Sequence, residues 1–308
     1  MKLLSMVEVK KLQKLVNGDV LPEEPLYLHT SLRIGGPADV LVIPRDIRSV
    51  YNVVVFSREH EIPLYVIGNG TNVLVRDEGV PGIVLKISNV LKRAVVFKNY
   101  LICGASISLS YALKKALRHS LSGLEACAGI PGTIGGAIAM NAGSKEGCIG
   151  DVVEKVVVMD ESGNVRVLSR VDCKFRYRES VFQESNFIIL QAVLSLRREK
   201  RNVIIRRVKN RLLRRLSSQP LNMPSAGCVF KNPPNCSAGE LIDRLGLKGL
   251  RIGGAMVSHV HANFIVNIGG ATAKDVLSLI AIIRDKVYER FSINLDLELK
   301  IIPPLEPE

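Results

Sequence analysis

Two glycine-rich segments of the 308-residue chain have the residue types and spacing of loops that hold phosphate. In the first, Gly68 and Gly70 stand at positions i and i+2 after a strand-like run, together with Asn69, Thr71 and Asn72. This spacing lets backbone N–H groups turn inward as a nest for an anion. A plain strand-to-strand turn is the alternative interpretation of this first loop.

The first loop matches neither of the common nucleotide-binding motifs. A Rossmann dinucleotide loop needs a third glycine at position 73 and then a helix. The chain has Val73 there, followed by β-branched or apolar residues, and it contains no G-x-x-x-x-G-K-S/T sequence. A Rossmann fold and a P-loop are therefore both excluded.

The second segment, residues 129–143, alternates glycines with a rigid proline and apolar residues. A flexible linker would instead be rich in Gly and Ser. This composition predicts a loop whose backbone closely approaches something flat and charged, and a tight crossover within the core is the alternative. The residues singled out in this segment are Gly129, Pro131, Gly132, Thr133, Gly135, Gly136, Asn141 and Gly143.

The net charge of +13 comes mostly from one segment. Between Arg197 and Arg215 there are ten basic residues and one acid, whereas the remaining 32 basic and 28 acidic residues leave a net of only +4. A basic stretch of this kind often binds nucleic acid, but this one has no aromatic residue for base stacking, and the chain has no Trp. Because no helix-turn-helix, zinc-finger or RRM signature is present either, we expect no nucleic-acid partner.

The elements that position these segments predict an α+β fold, because strands outnumber helices and do not alternate with them regularly. Asp46 is expected to cap an amphipathic helix that runs to about His60, and the basic segment has helical spacing to about Leu216. The region after it is expected to contain helices near 238–245 and 273–291 and a strand over 295–302. Gln219-Pro220 and Met223-Pro224 mark the main domain boundary, and we divide the chain into residues 1–90, 91–218 and 219–308.

Several protein classes are excluded by what the sequence lacks. No run approaches the ~20 apolar residues of a membrane span, and the N-terminus has no apolar core of a secretory signal. We therefore expect a cytoplasmic protein with no membrane partner. The six cysteines include no C-x-x-C pair, and the five histidines include no pair at i, i+4, so no metal site is predicted.

Eight segments taken together, in order along nearly the whole chain, resemble the UDP-N-acetylenolpyruvoylglucosamine reductase family. They are Thr30–Asp39, Gly68–Val75, Gly123–Gly143, Phe175–Phe182, Pro224–Pro233, Lys248–Ala255, His261–Asn267 and Leu295–Ile302. The resemblance implies an FAD-binding domain of the vanillyl-alcohol-oxidase (PCMH) type in two α+β subdomains, over 1–90 and 91–218, the second including the basic connecting helix. A C-terminal α+β substrate-binding domain over 219–308 follows. The chain is similar to the family's shorter class.

The family resemblance also implies an activity. It is the NADPH-dependent, FAD-mediated reduction of UDP-N-acetyl-3-O-(1-carboxyvinyl)-glucosamine to UDP-N-acetylmuramate in peptidoglycan precursor synthesis. The implied cofactors are FAD and NADPH, and the implied partner is a UDP-sugar; a monomer is compatible with the sequence. Ser31 and Arg33 join the two glycine-rich loops as implied cofactor-binding residues. Another FAD-dependent oxidase or dehydrogenase of the same fold is the alternative.

In the family, a serine in the motif A-G-S-x-F-K-N-P is the proton donor. Here the motif is residues 226–233, and Cys228 stands at the position of the serine. A thiol with a pKa of about 8.5 is a better acid than an alcohol and is mostly protonated at neutral pH. A nearby cation such as Lys231 favours the thiolate, which cannot donate a proton. The alternative is that Cys228 is only a packed thiol.

The resemblance assigns Arg178 and Glu298 to the surroundings of the substrate carboxyl group. Arginine can bind a carboxylate through two parallel hydrogen bonds, whereas the alternative for each residue is a solvated surface position. By the same resemblance, Lys231, Asn232 and Lys300 are substrate ligands. Arg215, at the end of the basic segment, is also expected to reach an anionic ligand. Small polyanions, rather than nucleic acid, would then be the partners of this basic chain.

Overall fold

The computed structural model of the chain describes residues 3 to 305, which fold into two units with separate hydrophobic cores. Unit 1 comprises the residues up to Pro22, Val40–Asn69 and Gly82–Arg215. Unit 2 comprises Glu23–Asp39, Gly70–Pro81 and the residues from Leu216 onward. Within the described range, no helix has both the length and the apolar character needed to cross a membrane. The division of the chain at residues 90 and 218 stays a prediction.

Apart from short 3-10 helices, the chain forms seven α-helices and nineteen strands within residues 3 to 305. The helices are α1 (Met6–Leu15), α2 (Ile47–Glu59), α3 (Leu109–Arg118), α4 (Ile134–Ala139), α5 (Arg201–Ser218), α6 (Ala238–Arg244) and α7 (Ala273–Phe291). The strands are β1 (Gly18–Pro22), β2 (Ala38–Pro44), β3 (Leu64–Ile67), β4 (Val73–Val75), β5 (Val80–Lys86), β6 (Ala94–Phe97), β7 (Tyr100–Gly104), β8 (Leu121–Ser122), β9 (Gly143–Ser144), β10 (Gly147–Cys148), β11 (Val153–Met159), β12 (Val165–Ser169), β13 (Ile188–Ser195), β14 (Arg197–Arg198), β15 (Ser225–Cys228), β16 (Arg251–Ile252), β17 (Ala255–Val257), β18 (Phe264–Asn267) and β19 (Lys300–Ile302).

Unit 1 contains a sheet in the order β12-β11-β13-β7-β6, in which every neighbouring pair is antiparallel. Strand β13 lies at its centre and buries most of its side chains, as a strand covered on both faces does. The helices α3 and α4 pack on this sheet around buried Leu101, Ile134 and Leu194. This sheet therefore supports the second glycine-rich segment, which runs into α4.

A second sheet, in the order β1-β2-β5-β3, includes the strand that precedes the first glycine-rich loop. Helix α2 packs in the hydrophobic core of this region through Val50, Val53 and Val54, and the Asp46 side chain caps it by accepting a hydrogen bond from Ser49 N at 2.8 Å. The predicted cap at Asp46 is thus confirmed. Because β3 ends at Ile67, Gly68 follows the end of a strand directly.

Unit 2 contains an antiparallel sheet in the order β15-β18-β17-β16, together with α6 and α7. Helix α7 begins at a capping box formed by Thr272 and Asp275 and buries Leu279, Ile283 and Val287. The chain then returns as β19, which pairs in parallel with β4, the strand after the first glycine-rich loop. The predicted helix over 273–291 is confirmed residue for residue.

Two local predictions differ from the structure. The predicted strand over 295–302 is a strand only in β19, and before it Leu297 forms an isolated bridge with Phe230. The second glycine-rich segment contains the helix α4, which was expected to be loop. Its buried Ile134, Ala137 and Ile138 have helical spacing, but Gly135 and Gly136 between them have low helix propensity and concealed it.

From Arg201 onward the basic segment forms the helix α5, as predicted, and this helix buries only Ile204; Arg197 and Arg198 instead form the short strand β14. Seven of the ten basic side chains between residues 197 and 215 are exposed, while Arg207, Arg211 and Arg215 are half-buried. Arg207 pairs with Glu125 at 3.5 Å, and Arg211 forms an ion pair with Glu146. Much of the segment is therefore a solvated face, and its inner side meets carboxylates from elsewhere in unit 1.

Candidate active site

The second glycine-rich segment holds a conformation that glycine favours at two positions. Gly129 has φ +75° and Gly132 has φ +125°, and residues other than glycine rarely adopt either backbone conformation. Thr133 then caps α4, because its Oγ1 accepts a hydrogen bond from Gly136 N at 3.2 Å. A Cβ on Gly68 would lie 2.9 Å from the same Oγ1, so the start of the first glycine-rich loop lies against this cap.

The N–H groups at the start of α4 bond to acceptors within the protein. Ile134 N donates to Ile107 O at 2.8 Å and Gly135 N to Ala105 O at 2.9 Å, while Gly136 N donates to the Thr133 cap. Gly135 is needed for packing, since a Cβ there would lie 3.0 Å from the Ala105 Cβ.

Gly136 differs from its neighbour because it leaves an open surface. A Cβ on Gly136 would meet nothing closer than Thr133 Oγ1 at 3.5 Å, and the residue is exposed. The segment thus presents a bare backbone face that a Cβ would fill, which fits a flat cofactor such as FAD. The predicted contact at Gly136 would then be made by its Cα face and not by its N–H group.

Arg215 lies against this segment. A Cβ on Gly129 would be 2.8 Å from the Arg215 Cδ and 3.5 Å from its Nε. The φ of +75° favours glycine at position 129, and the close approach of Arg215 places a cation beside the glycine-rich segment. The expectation that Arg215 reaches an anionic ligand stays a prediction, and this contact supports it.

Arg178 is held at the end of the same segment. Its Nη2 donates to Gly143 O at 2.9 Å, and its guanidinium lies 5.3 Å from the centre of the Tyr177 ring. Asn141 is buried; its Nδ2 donates to Arg176 O at 2.7 Å, and its Oδ1 accepts from Gly150 N at 3.0 Å. Unit 1 therefore brings Asn141, Gly143 and Arg178 together. The Asn141 side chain holds the backbone at Arg176 and at Gly150.

Glu125 anchors the chain just before the glycine-rich segment. Its buried carboxylate accepts hydrogen bonds from Ser122 Oγ at 2.7 Å and Gly123 N at 2.6 Å, and it faces Arg207. Burial raises the pKa of this carboxyl, but the hydrogen bonds and the Arg207 charge together lower it more, so the pKa lies below its ordinary value. The charged form of Glu125 is consequently favoured by folding.

This lowered pKa predicts an acid-dependent loss of stability. The contribution of Glu125 is fully present above its unfolded-state pKa of about 4.3 and is lost as the pH falls through the lower pKa of the folded state. We expect the free energy of unfolding of Glu125→Gln, measured by urea denaturation from pH 7 to pH 3, to fall less steeply below about pH 4 than that of the original chain. Parallel curves would contradict this assignment.

Unit 2 gathers the residues around the predicted proton donor. Glu298 N donates to Val229 O at 2.9 Å, and Lys231 N donates to Asp296 O at 2.8 Å, so the segment that follows Cys228 runs beside residues 296–299. The half-buried Cys228 and the predicted carboxylate Glu298 thus belong to two segments joined by backbone hydrogen bonds.

The first glycine-rich loop joins the same group in unit 2. Asn72 Nδ2 donates to Glu298 O at 2.9 Å, and Asn72 O accepts from Lys300 N at 3.1 Å. Asn232, also a predicted substrate ligand, accepts a hydrogen bond from Ala238 N through its Oδ1 at 3.1 Å, at the start of α6. These contacts give Asn72 and Asn232 structural roles in addition to the predicted ones.

Ser31 and Gly70 meet in unit 2. Ser31 N donates to Gly70 O at 3.0 Å, and Ser31 Oγ donates to Ser225 O at 2.7 Å, in the strand that ends at Cys228. Gly70 has φ +62°, and a Cβ there would overlap His29 O, so packing alone requires this glycine. The Ser31 hydroxyl, predicted to face the cofactor, therefore ties the first loop to the strand that contains Cys228, the predicted proton donor.

The remaining predicted cofactor-binding residues also lie in loops. Arg33 has φ +55°, and its carbonyl accepts from Asn267 Nδ2 at 3.3 Å. The others are Asn69, Thr71 and Pro131. Within residues 3 to 305, no group of three His, Cys, Asp or Glu side chains is arranged to hold a metal ion.

Asn263 was not singled out from the sequence, yet it contacts the segment that follows Cys228, the predicted proton donor. Its buried side chain accepts a hydrogen bond from Phe230 N at 2.9 Å and donates one to Phe230 O at 2.8 Å. The signal in the sequence was an amide between Ala262 and Phe264 in an apolar run, because a buried amide needs polar partners.

Three other cysteines are buried, packed thiols. Burial raises the pKa of Cys103 to about 12, of Cys127 to about 12 and of Cys173 to about 11, so these thiols stay protonated at neutral pH. Cys228, in contrast, is only half-buried.

Both the N-terminal and the C-terminal part of the chain are similar in sequence to known proteins. Residues 38–169 match a model described as an FAD binding domain, and residues 219–302 match one described as UDP-N-acetylenolpyruvoylglucosamine reductase, C-terminal domain. The chain is 45% identical over 96% of its length to the UDP-N-acetylenolpyruvoylglucosamine reductase of Caldanaerobacter subterraneus, covering 97% of that protein. It is 44% identical over 95% of its length to the enzyme of the same name from Alkaliphilus oremlandii, again covering 97% of that protein.

A solved structure agrees with these matches. The crystal structure of UDP-N-acetylenolpyruvylglucosamine reductase from Thermus caldophilus superposes with a TM-score of 0.79 at 38% sequence identity. It covers 93% of this chain, and this chain covers 99% of it. The predicted α+β fold, with an FAD-binding domain before a C-terminal domain, is confirmed.

Proposed function

The chain belongs to the UDP-N-acetylenolpyruvoylglucosamine reductase family, and from this we propose that it reduces UDP-N-acetylenolpyruvoylglucosamine to UDP-N-acetylmuramate, with FAD as cofactor and NADPH as reductant. Family membership and the FAD-binding domain make it an FAD-dependent oxidoreductase of peptidoglycan synthesis. The finer parts of the proposal are the reductant, the proton donor and the residues that bind the substrate. The predicted compartment is the cytoplasm, and the proposed small-molecule partners are the UDP-sugar and NADPH.

The reaction adds two hydrogens across the carbon–carbon double bond of the enolpyruvyl group. NADPH loses a hydride and becomes NADP⁺; when bound, FAD supplies that hydride to the terminal carbon of the substrate. The chain's own residues must deliver a proton to the carbon next to the carboxylate and stabilise the negative charge that develops there. This requirement assigns separate roles to an acid and to cationic groups.

We assign the acid to Cys228, whose thiol gives a proton to the carbon next to the carboxylate and is reprotonated from solvent. Its half-buried position in β15 and the hydrogen bond from Glu298 N to Val229 O support this assignment. Arg178, whose guanidinium is oriented by Gly143 O and Tyr177, is the proposed cation for the substrate carboxylate. Lys231, Asn232, Lys300 and Arg215 are the proposed ligands for the remaining polar groups of the substrate.

The observation that carries the proposal is the gathering of Cys228, Glu298 and Lys300 on joined segments of unit 2, within the part of the chain that matches the reductase C-terminal domain. We expect purified protein to be yellow with a flavin spectrum. Consumption of NADPH beyond the amount that reduces the bound flavin should require UDP-N-acetylenolpyruvoylglucosamine, as followed by absorbance in the presence and in the absence of oxygen. A colourless protein that takes up no FAD would contradict the cofactor, and oxygen consumption without the UDP-sugar would favour an oxidase.

A further inference from the structure

We propose that Asn263 is a positioning residue for the proton donor, because its side-chain amide fixes the backbone between Cys228 and Lys231. The two hydrogen bonds that it makes both go to Phe230, one to the N–H group at 2.9 Å and one to the carbonyl at 2.8 Å. Phe230 lies midway in the motif of residues 226–233. This inference rests on the proposed function of Cys228 and adds a residue that acts through it.

The amide takes the place of a neighbouring strand. Strand β15 pairs with β18, but the register shifts between Ser225 and Cys228, and β15 ends at Cys228. Phe230 follows beyond that end with 1% exposure, so its backbone polar groups lie away from water. An asparagine amide holds an acceptor oxygen and a donor NH2 group in one plane, and its oxygen and one N–H present to Phe230 the pair that a strand neighbour would present.

The backbone of the same residue completes the clamp. Asn263 O accepts a hydrogen bond from Val229 N at 2.9 Å, and Asn263 N donates to the His261 Nδ1 at 3.2 Å. The side chain of Asn263 is itself buried, with 3% exposure of the residue. Buried hydrogen bonds of this kind are costly to leave unmade, because water cannot replace the lost partner. The clamp therefore holds residues 229 and 230 rigidly.

The clamp matters for Cys228 because it holds the two residues that directly follow this cysteine, whereas the residue directly before it is a glycine with open space beside its Cα. Gly227 has φ +82°, and a Cβ on it would meet nothing within 4 Å. Cys228 therefore lies between an open glycine and the clamp at Val229 and Phe230. Displacement of a reacting group by about 1 Å costs about 100-fold in rate, so release of the clamp is expected to misplace the thiol.

The test measures only the step that uses the proton. Holoenzyme is reduced with dithionite without oxygen and mixed with UDP-N-acetylenolpyruvoylglucosamine in a stopped-flow instrument, and the return of flavin absorbance is followed. For Asn263→Ala we expect this first-order rate to fall about 10- to 100-fold and its solvent deuterium isotope effect to rise, because proton transfer becomes the slower event. Reduction of the bound flavin by NADPH should change less than about twofold.

The matched control is Asn99→Ala. Asn99 also bonds a backbone carbonyl through its amide, Leu196 O at 3.2 Å, but it lies in unit 1 and outside the proposed machinery. We expect wild-type rates in both half-reactions for this control. Because each rate is first order in bound flavin, a smaller folded fraction of the protein does not imitate the effect. If the alanine variant does not fold, Asn263→Asp replaces it, because aspartate keeps the acceptor and loses the donor.

A double substitution distinguishes positioning from a general structural effect. If Asn263 acts through Cys228, then Asn263→Ala in a Cys228→Ala background lowers the rate less than about twofold further. An equal loss in both backgrounds, or a wild-type rate and isotope effect for Asn263→Ala, would overturn the inference. A reduced wild-type flavin that the UDP-sugar fails to reoxidise would instead overturn the proposed function, so the two failures are distinguishable.

Discussion

Replacing Cys228 with alanine is expected to stop the reduction of UDP-N-acetylenolpyruvoylglucosamine while NADPH still bleaches the bound flavin. The methyl group of alanine has no acidic proton to donate. A positioned general acid contributes about 10²- to 10⁴-fold to a rate. The loss should therefore lie in that range for reoxidation of reduced flavin by the substrate and be absent from the NADPH half-reaction. Single-turnover absorbance measurements of each half-reaction give the two rates separately.

Two companion variants make this result specific to the thiol. Cys228→Ser restores the acid usual in the family and should retain substrate reduction, whereas Cys236→Ala, at the other half-buried cysteine of unit 2, should leave both half-reactions unchanged. Survival of both half-reactions in Cys228→Ala would show that the proton comes from elsewhere. The buried thiols of Cys103 and Cys127 do not compete for this role, because burial raises the pKa of each to about 12.

The long elements were predictable because their signals are local. The helix α7 follows from a capping box and an apolar stripe that lie within one stretch of sequence, and α2 follows from the Asp46 cap and its valines. The helix α4 escaped because two of its six residues are glycines, and its first turn is held by Ile107 and Ala105, which lie more than 25 residues earlier. Tertiary hydrogen bonds of that kind leave no trace in periodicity.

The candidate site shows the same division between local and distant information. The motif of residues 226–233 could be found from the sequence, together with the departure at Cys228. Asn263 could not be assigned, because it bonds to a backbone 33 residues away and an isolated amide in an apolar run does not indicate its partner. Conversely, Ser31 and Asn141 were predicted as hydrogen-bond donors to the cofactor, and the structure shows both donating to backbone carbonyls. These hydrogen bonds position the backbone of the loops, which explains why the two residues stand there.

Gly136→Ala is expected to weaken FAD binding while leaving the fold intact or more stable. A Cβ at this position meets nothing closer than 3.5 Å within the protein, and alanine is favoured over glycine in a helix by about 1 kcal/mol. The same Cβ would fill the open backbone face that we assign to the cofactor. Crowding of this kind costs about 1–3 kcal/mol, which corresponds to a rise of about 5- to 150-fold in the FAD dissociation constant.

The neighbouring Gly135→Ala separates the two effects of an added methyl group. Its Cβ would lie 3.0 Å from the Ala105 Cβ, so the cost falls on packing within unit 1 and should appear as a lower free energy of unfolding than that of Gly136→Ala. Urea denaturation of the two apoproteins and flavin titration of Gly136→Ala provide the measurements. An FAD dissociation constant equal to that of the original chain would place the cofactor away from the Gly136 surface, whereas weaker FAD binding by a more stable apoprotein would identify that surface as part of the flavin site.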